Sequence, residues 1–192
     1  MSIFEHVSVF LSIILGLAIV HLLGGLSLIL DRRVRARVYW VHLLWVANLL
    51  FVSVLVWLGN FVLSDVEVFS VWHFLNLVAY CMVIYLMSGL LFPVRGGEVT
   101  DFRAHFEANR VRFFGLGLLF VLTDVADGLL EHLAIGLPLA PGQFITLGLE
   151  FVLFVGGIKT ASESYHGAVA VLFCLGSIGW LVSLVMIGVV TT

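Results

Sequence analysis

Charge is the scarcest property of this chain, and its scarcity indicates the class of protein. Only 11% of the 192 residues are charged, whereas 62% are hydrophobic and the mean hydropathy is +1.19. A soluble domain carries about a quarter charged residues. Because so little charge cannot cover a surface in water, we predict that most of the surface faces lipid. The net charge of −3 disfavours nucleic acid as a partner, since phosphate binding requires clustered Lys and Arg side chains.

Cysteines and recognised catalytic motifs are also scarce. Cys81 and Cys174 fall within apolar runs and show neither metal-ligand spacing nor a disulfide framework. The chain has no G-x-S-x-G nucleophile elbow and no H-E-x-x-H motif. Its "TDVADG" segment resembles the GxGD motif of intramembrane aspartyl proteases only loosely, because Asp127 lacks the preceding glycine. These absences disfavour an enzymatic function.

Six apolar segments are long enough to cross a membrane, which takes roughly 20 residues as a helix. They lie at about residues 4–30, 38–63, 69–92, 113–137, 143–159 and 165–190. The start, "MSIFEH", lacks the basic region of a signal peptide, so we expect the first segment to be retained. The sequence therefore predicts an all-α, single-domain polytopic membrane protein in which sequential spans pack as antiparallel neighbours.

The sizeable loop between the third and fourth spans covers residues 93–112. Its stretch "DFRAHFEANRVRFF" is amphipathic and leads into the fourth span. We expect a short interfacial helix here, with its charges in water and four aromatic side chains in the membrane interface. These side chains are Phe102, Phe106, Phe113 and Phe114.

The basic residues indicate how the spans are oriented. With six spans, all nine lie at one face of the membrane: Arg32, Arg33, Arg35, Arg37, Arg95, Arg103, Arg110, Arg112 and Lys159. Short loops rich in Lys and Arg stay in the cytoplasm. We therefore predict a cytoplasmic loop at residues 93–112 and both termini on the outside, which is the periplasm if the source is bacterial. Topology and contact with anionic lipid account for the arginines without a ligand role.

The stretch "LTDVADGLLEHL" places three carboxyl groups inside the fourth span. At about 100° per residue, Asp124, Asp127 and Glu131 share an arc of roughly 60°, with neighbours about 5–6 Å apart. Mutual repulsion and desolvation both disfavour three ionised carboxylates at this spacing. Because every Lys and Arg is assigned to the other face, protons, a bound cation or histidines must neutralise these acids.

Further polar residues fall at similar or shallower depth. Glu150 lies about 13 Å into the fifth span, near the level of Asp127, and the hairpin makes these two spans neighbours. Towards the outer face lie Glu5, His6, His73, Asn76 and His132. Mixed histidine and carboxylate groups bind transition metals, whereas carboxylates alone suit hard cations, but no metal-ligand spacing is recognisable. His21 and His42 differ in depth by several ångströms, which disfavours them as a haem pair.

Two segments, "SIILGLAIVHLLGGL" and "RVYWVHLLWVANLLF", carry a resemblance. They resemble segments of a family of small bacterial multi-pass proteins without assigned function. The resemblance covers mainly the first two spans and implies a bacterial inner membrane. It carries over no site residue.

The intramembrane acids predict, in the first place, a protein that conducts or couples protons or cations. The predicted pathway consists of Asp124, Asp127, Glu131 and Glu150, with His132 and His73 at its outer mouth.

Two alternatives stay open at this point. One is a redox or sensor module that carries a metal ion or haem. The other is a structural or assembly subunit, in which Thr123, Tyr80 or Asn76 would satisfy Asp124 by hydrogen bonds. In each case we expect lipid as the surroundings and a homo-oligomer, because six short spans enclose little interior volume.

Overall fold

The computed structural model describes residues 3–31, 36–60, 70–93, 100–136, 139 and 141–186. These residues form six helices: α1 (Ile3–Leu30), α2 (Trp40–Gly59), α3 (Val71–Leu91), α4 (Phe102–Ile135), α5 (Pro141–Lys159) and α6 (Glu163–Met186). Each helix is long and apolar enough to cross a membrane. The prediction of an all-α chain with six helices able to span a membrane is therefore confirmed for the described part of the chain. Outside the described residues lie residues 61–63, 69, 137 and 187–190 of the predicted spans, as well as Arg32, Arg33, Arg35 and Arg95.

The order of the helices in space differs from their order in the chain. α4 packs most extensively against α3 and α5, while α2 packs against α6 and α1 packs against α3 more than against α2. Helices α3, α4 and α5 therefore lie side by side. The end of the bundle at which α2, α4 and α6 begin carries Arg37, Arg103, Arg110, Arg112 and Lys159. We call it the basic end, and the other end the distal end.

Helix α4 is longer than a membrane is thick. Its 34 residues extend about 51 Å, whereas the hydrocarbon core measures about 30 Å. It begins at Phe102 because Asp101 Oδ1 accepts hydrogen bonds from the backbone N–H groups of Arg103 and Ala104. No glycine or proline interrupts the helix before Gly115. The expected interfacial helix is thus the beginning of α4 and not a separate element.

The aromatic residues of this first part of α4 lie in the protein core. The side chains expected in the membrane interface are between 0% and 4% exposed: Phe102, Phe106, Phe113 and Phe114. Trp45 of α2 is fully buried among them, with its ring centroid 5.0 Å from that of Phe113 and 5.9 Å from that of Phe114. The interfacial placement is therefore wrong, because an amphipathic pattern predicts an apolar face but not whether lipid or protein covers it.

Histidines from three helices hold the C-terminal end of α3. Each has its ring Nε2 within 3.0 Å of one of three consecutive carbonyl oxygens: His21 with Phe92, His42 with Leu91, and His105 with Leu90. A helix leaves its last carbonyls without partners in the helix, so these rings supply the missing donors. His21 and His42 were expected to differ in depth, but their rings contact adjacent carbonyls. The length of the side chains and the offset between the two helices compensate for the difference in depth.

Candidate intramembrane carboxylate site

Asp127 of α4 is held by polar side chains of α3. His73 Nε2 lies 3.2 Å from Asp127 Oδ1, and the His73 side chain is buried. Asn76 Nδ2 donates to the same carboxylate oxygen at 3.2 Å and to the backbone carbonyl of Thr123 at 3.1 Å. The Asn76 amide therefore ties α3 to α4 and fixes the direction of the Asp127 carboxyl.

Glu131 lies one helical turn beyond Asp127, towards the distal end. Single ligand atoms of His73, Asp127 and Glu131 all lie within 4.8 Å of one another. The group offers one imidazole nitrogen and two carboxylate oxygens. Sequence spacing did not reveal it, because His73 belongs to a different helix and the register between two helices cannot be read from spacing within one.

The deeper acids lie near Tyr80, a buried residue of α3. The Tyr80 hydroxyl is near the Asp124 carboxyl. Asp124, Asp127 and Glu150 are all close enough to Tyr80 to interact with it electrostatically. Glu150 of α5 thus lies within electrostatic range of the acidic stripe of α4. We call the four acids, with His73, Asn76 and Tyr80, the carboxylate cluster.

Two contacts at the edge of the carboxylate cluster escaped the sequence reasoning. A Cβ at Gly176 of α6 would lie 3.1 Å from Glu150 Oε1, so α6 presents bare backbone to this carboxyl. A Cβ at Gly128 would lie 3.4 Å from Nε2 of Gln143, which places the Gln143 amide against α4 at Gly128. Gln143 offered a signal, as a polar residue in the first turn of the fifth span. Gly176 offered none, because it is one of several glycines in its span.

The remaining outer residues lie at the protein surface. Glu5 and His6 are exposed in the first turns of α1, and His132 is exposed near the end of α4. They are outside the group formed by His73, Asp127 and Glu131. Of the predicted outer contributors, the structure therefore brings only His73 and Asn76 into the carboxylate cluster, as far as the described residues extend.

The described arginines and Lys159 lie at the basic end, away from the carboxylate cluster. Arg103 pairs with Glu107 at 3.1 Å and with Glu163 at 2.9 Å. Arg110 donates to backbone carbonyls at and beyond the end of α5. Within the described ranges, no Lys or Arg forms an ion pair with the four acids, and His73 is a base that contacts Asp127. Such a site is suited to holding protons or a cation.

Comparison of the chain with protein-family models, with curated proteins and with solved structures finds no match. The resemblance of the first two spans to small bacterial multi-pass proteins therefore stays a prediction.

Proposed function

We propose that this membrane protein conducts protons or small cations, or couples their movement to another process, through the carboxylate cluster. The observation that carries the proposal is the group of acids on α4 and α5: Asp127 and Glu131 lie beside His73, and Asp124 and Glu150 interact electrostatically with Tyr80, while the described Lys and Arg side chains lie at the other end of the bundle. Ionisable groups inside a membrane are costly and commonly mark ion or proton pathways.

The acids of α4 form a series along the membrane normal. Asp124, Asp127 and Glu131 extend over about 10 Å of helix, with neighbouring side chains about 5–6 Å apart. A proton or a cation can therefore move between adjacent carboxyls through short steps, helped by water. Glu150 interacts electrostatically with Asp124 at the deeper end of this series.

The proposed orientation follows from the basic end. Lys and Arg in short loops favour the cytoplasm, so we infer that the basic end is cytoplasmic and that the pathway opens to the periplasm near Glu131. Both termini are then periplasmic, and the membrane is a bacterial inner membrane.

A structural subunit is the competing function. It is favoured by the hydrogen bond between Asn76 and Asp127, which already joins α3 to α4. A hydrogen bond between spans contributes only modestly to helix association, so four acids exceed what that role requires.

Flux through proteoliposomes tests the proposed function. Purified protein is reconstituted with an internal pH dye, and a potassium diffusion potential drives proton entry; sodium and potassium gradients are tested in parallel. We expect the double variant Asp124→Asn with Asp127→Asn to lose most of the flux, because its amides cannot hold a proton or a cation as carboxylates do. Asp31→Asn is the matched control, since it removes an exposed acid beyond the end of α1, and it should retain normal flux.

Equal flux from the wild type and the double variant would contradict the proposal. Absence of proton, sodium and potassium flux from correctly reconstituted wild-type protein would also contradict it and would favour the structural subunit.

A further inference from the structure

We propose that His73, Asp127 and Glu131 form a binding site for a divalent transition-metal ion such as Zn²⁺. The proposal rests on the proposed function in that it names the cation accepted at the distal end of the carboxylate cluster. Two different helices build the site: α4 presents Asp127 and Glu131 on one face, four residues apart, and α3 presents His73 towards them.

The separations are close to those of a metal site. Zinc binds imidazole nitrogen and carboxylate oxygen at about 2.0–2.2 Å, which puts neighbouring ligand atoms about 3.3–3.5 Å apart in a tetrahedral site. His73 Nε2 and Asp127 Oδ1 already lie 3.2 Å apart, and the whole group falls within 4.8 Å. To bind one ion, the ligand atoms need to approach one another from separations of at most 4.8 Å to this spacing.

The ligand types select the class of metal. Calcium takes six to eight oxygen ligands, and magnesium requires an octahedral oxygen shell. One imidazole with two carboxylates instead suits zinc, manganese, iron or cobalt. The two carboxylates also match the charge of a divalent ion, which replaces their mutual repulsion with attraction.

The surroundings of the group favour a fixed site with an open position. Asn76 donates to Asp127 Oδ1, so the ligand is oriented by a second residue, as is usual for metal ligands. The His73 side chain is only 3% exposed, whereas that of Asp127 is 20% exposed. The buried imidazole fixes one ligand, and the Asp127 carboxylate keeps part of its surface uncovered by the protein.

Metal binding is measured on the full chain in detergent, after removal of metals with a chelator. The protein is titrated by calorimetry with Zn²⁺ alone and, separately, with Mg²⁺ alone. We expect one saturable Zn²⁺ site per chain and no comparable Mg²⁺ site. His73→Gln and Glu131→Gln should each weaken Zn²⁺ binding by at least about tenfold, since even loss of an outer-shell partner costs that much. His21→Gln removes an imidazole at the basic end, where it contacts the Phe92 carbonyl, and should leave the affinity unchanged.

Gel filtration of each variant checks that it is folded. Binding of Co²⁺ provides a separate spectroscopic measurement of the site. Co²⁺ bound to the wild type should show visible ligand-field bands that change in His73→Gln. Zn²⁺ binding that is absent, or that is equal in the wild type, His73→Gln and Glu131→Gln, would overturn the proposal and leave His73 and Asp127 as an ion pair. The two proposals fail separately: proton flux without Zn²⁺ binding removes the metal site, and Zn²⁺ binding without flux removes the transport function.

Discussion

The position of the Glu150 carboxyl depends on Gly176, a residue without a side chain. A Cβ at Gly176 would lie 3.1 Å from Glu150 Oε1 and 3.7 Å from the Thr146 methyl group. The first distance is shorter than an ordinary carbon–oxygen contact, so the carboxyl would have to move by a few tenths of an ångström. Such a movement costs little energy at the end of a flexible side chain, but it changes the spacing between Glu150 and Asp124.

Gly176→Ala should therefore reduce the flux without reducing the stability of the protein. Alanine is more favourable than glycine within a helix by about 0.8–1.0 kcal/mol, so we expect α6 to be at least as stable as before. We expect the proton or cation flux to fall severalfold, because the methyl group displaces Glu150. Thermal unfolding in detergent and flux in proteoliposomes measure the two effects.

Gly179 provides the matched control, because a Cβ there would have no neighbour within 4 Å. Gly179→Ala should bring the same gain in helix stability with normal flux. If the two alanine variants conduct equally well, the position of Glu150 does not limit the flux.

At the scale of elements, the C-terminal end of α3 depends on side chains from α1, α2 and α4. His42 is the most buried of its three histidine donors, and its ring packs against Phe102 and Phe92 at centroid distances of 4.7 and 4.9 Å. Its Nε2 lies 2.9 Å from the carbonyl oxygen of Leu91. The start of α4 and the end of α3 are thus joined through one imidazole of α2.

His42→Ala should destabilise the protein through this junction. A buried carbonyl left without a donor costs about 1–3 kcal/mol, and the cavity adds to this loss in the free energy of unfolding. His42→Gln should recover part of the loss, since its amide also donates. Denaturation in mixed micelles measures the free energy of unfolding of each variant. His132→Ala, at an exposed position, is the control, and we expect it to change this free energy by less than about 0.5 kcal/mol. A similar stability for His42→Ala and His132→Ala would show that the Leu91 carbonyl finds another partner.

The elements also show what could be predicted from the sequence. The helical period placed Asp124, Asp127 and Glu131 on one face, and depth placed Glu150 near them, because rise and rotation per residue are constants of the helix. Asn76 was expected as a partner of Asp124, but it donates to Asp127. Rotation of one helix about its axis relative to another depends on packing of whole faces, which spacing within a single helix does not reveal.

At the scale of the whole molecule, charge is divided between the two ends of the bundle. The described Lys and Arg residues lie at the basic end, where Arg103 and Arg110 join α4 to the starts and ends of neighbouring helices. The carboxylate cluster lies in the half of α4 nearer the distal end. A cation that enters from the distal end therefore meets carboxylates first and basic side chains last.

This division of charge predicts which end of α5 faces the cytoplasm. Two single-cysteine variants can determine this orientation. Ser162 is exposed between α5 and α6 at the basic end, and Leu139 is exposed between α4 and α5 at the distal end. Each is changed to cysteine in a chain with Cys81→Ala and Cys174→Ala, whose parent should not react. In intact bacterial cells, an impermeant maleimide should label Leu139→Cys and should label Ser162→Cys only after the membrane is opened, because basic loops remain in the cytoplasm. The reverse pattern would place the basic end outside the cell, and the carboxylate cluster would then open towards the cytoplasm. Labelling of both positions in intact cells would contradict the prediction that α5 crosses the membrane.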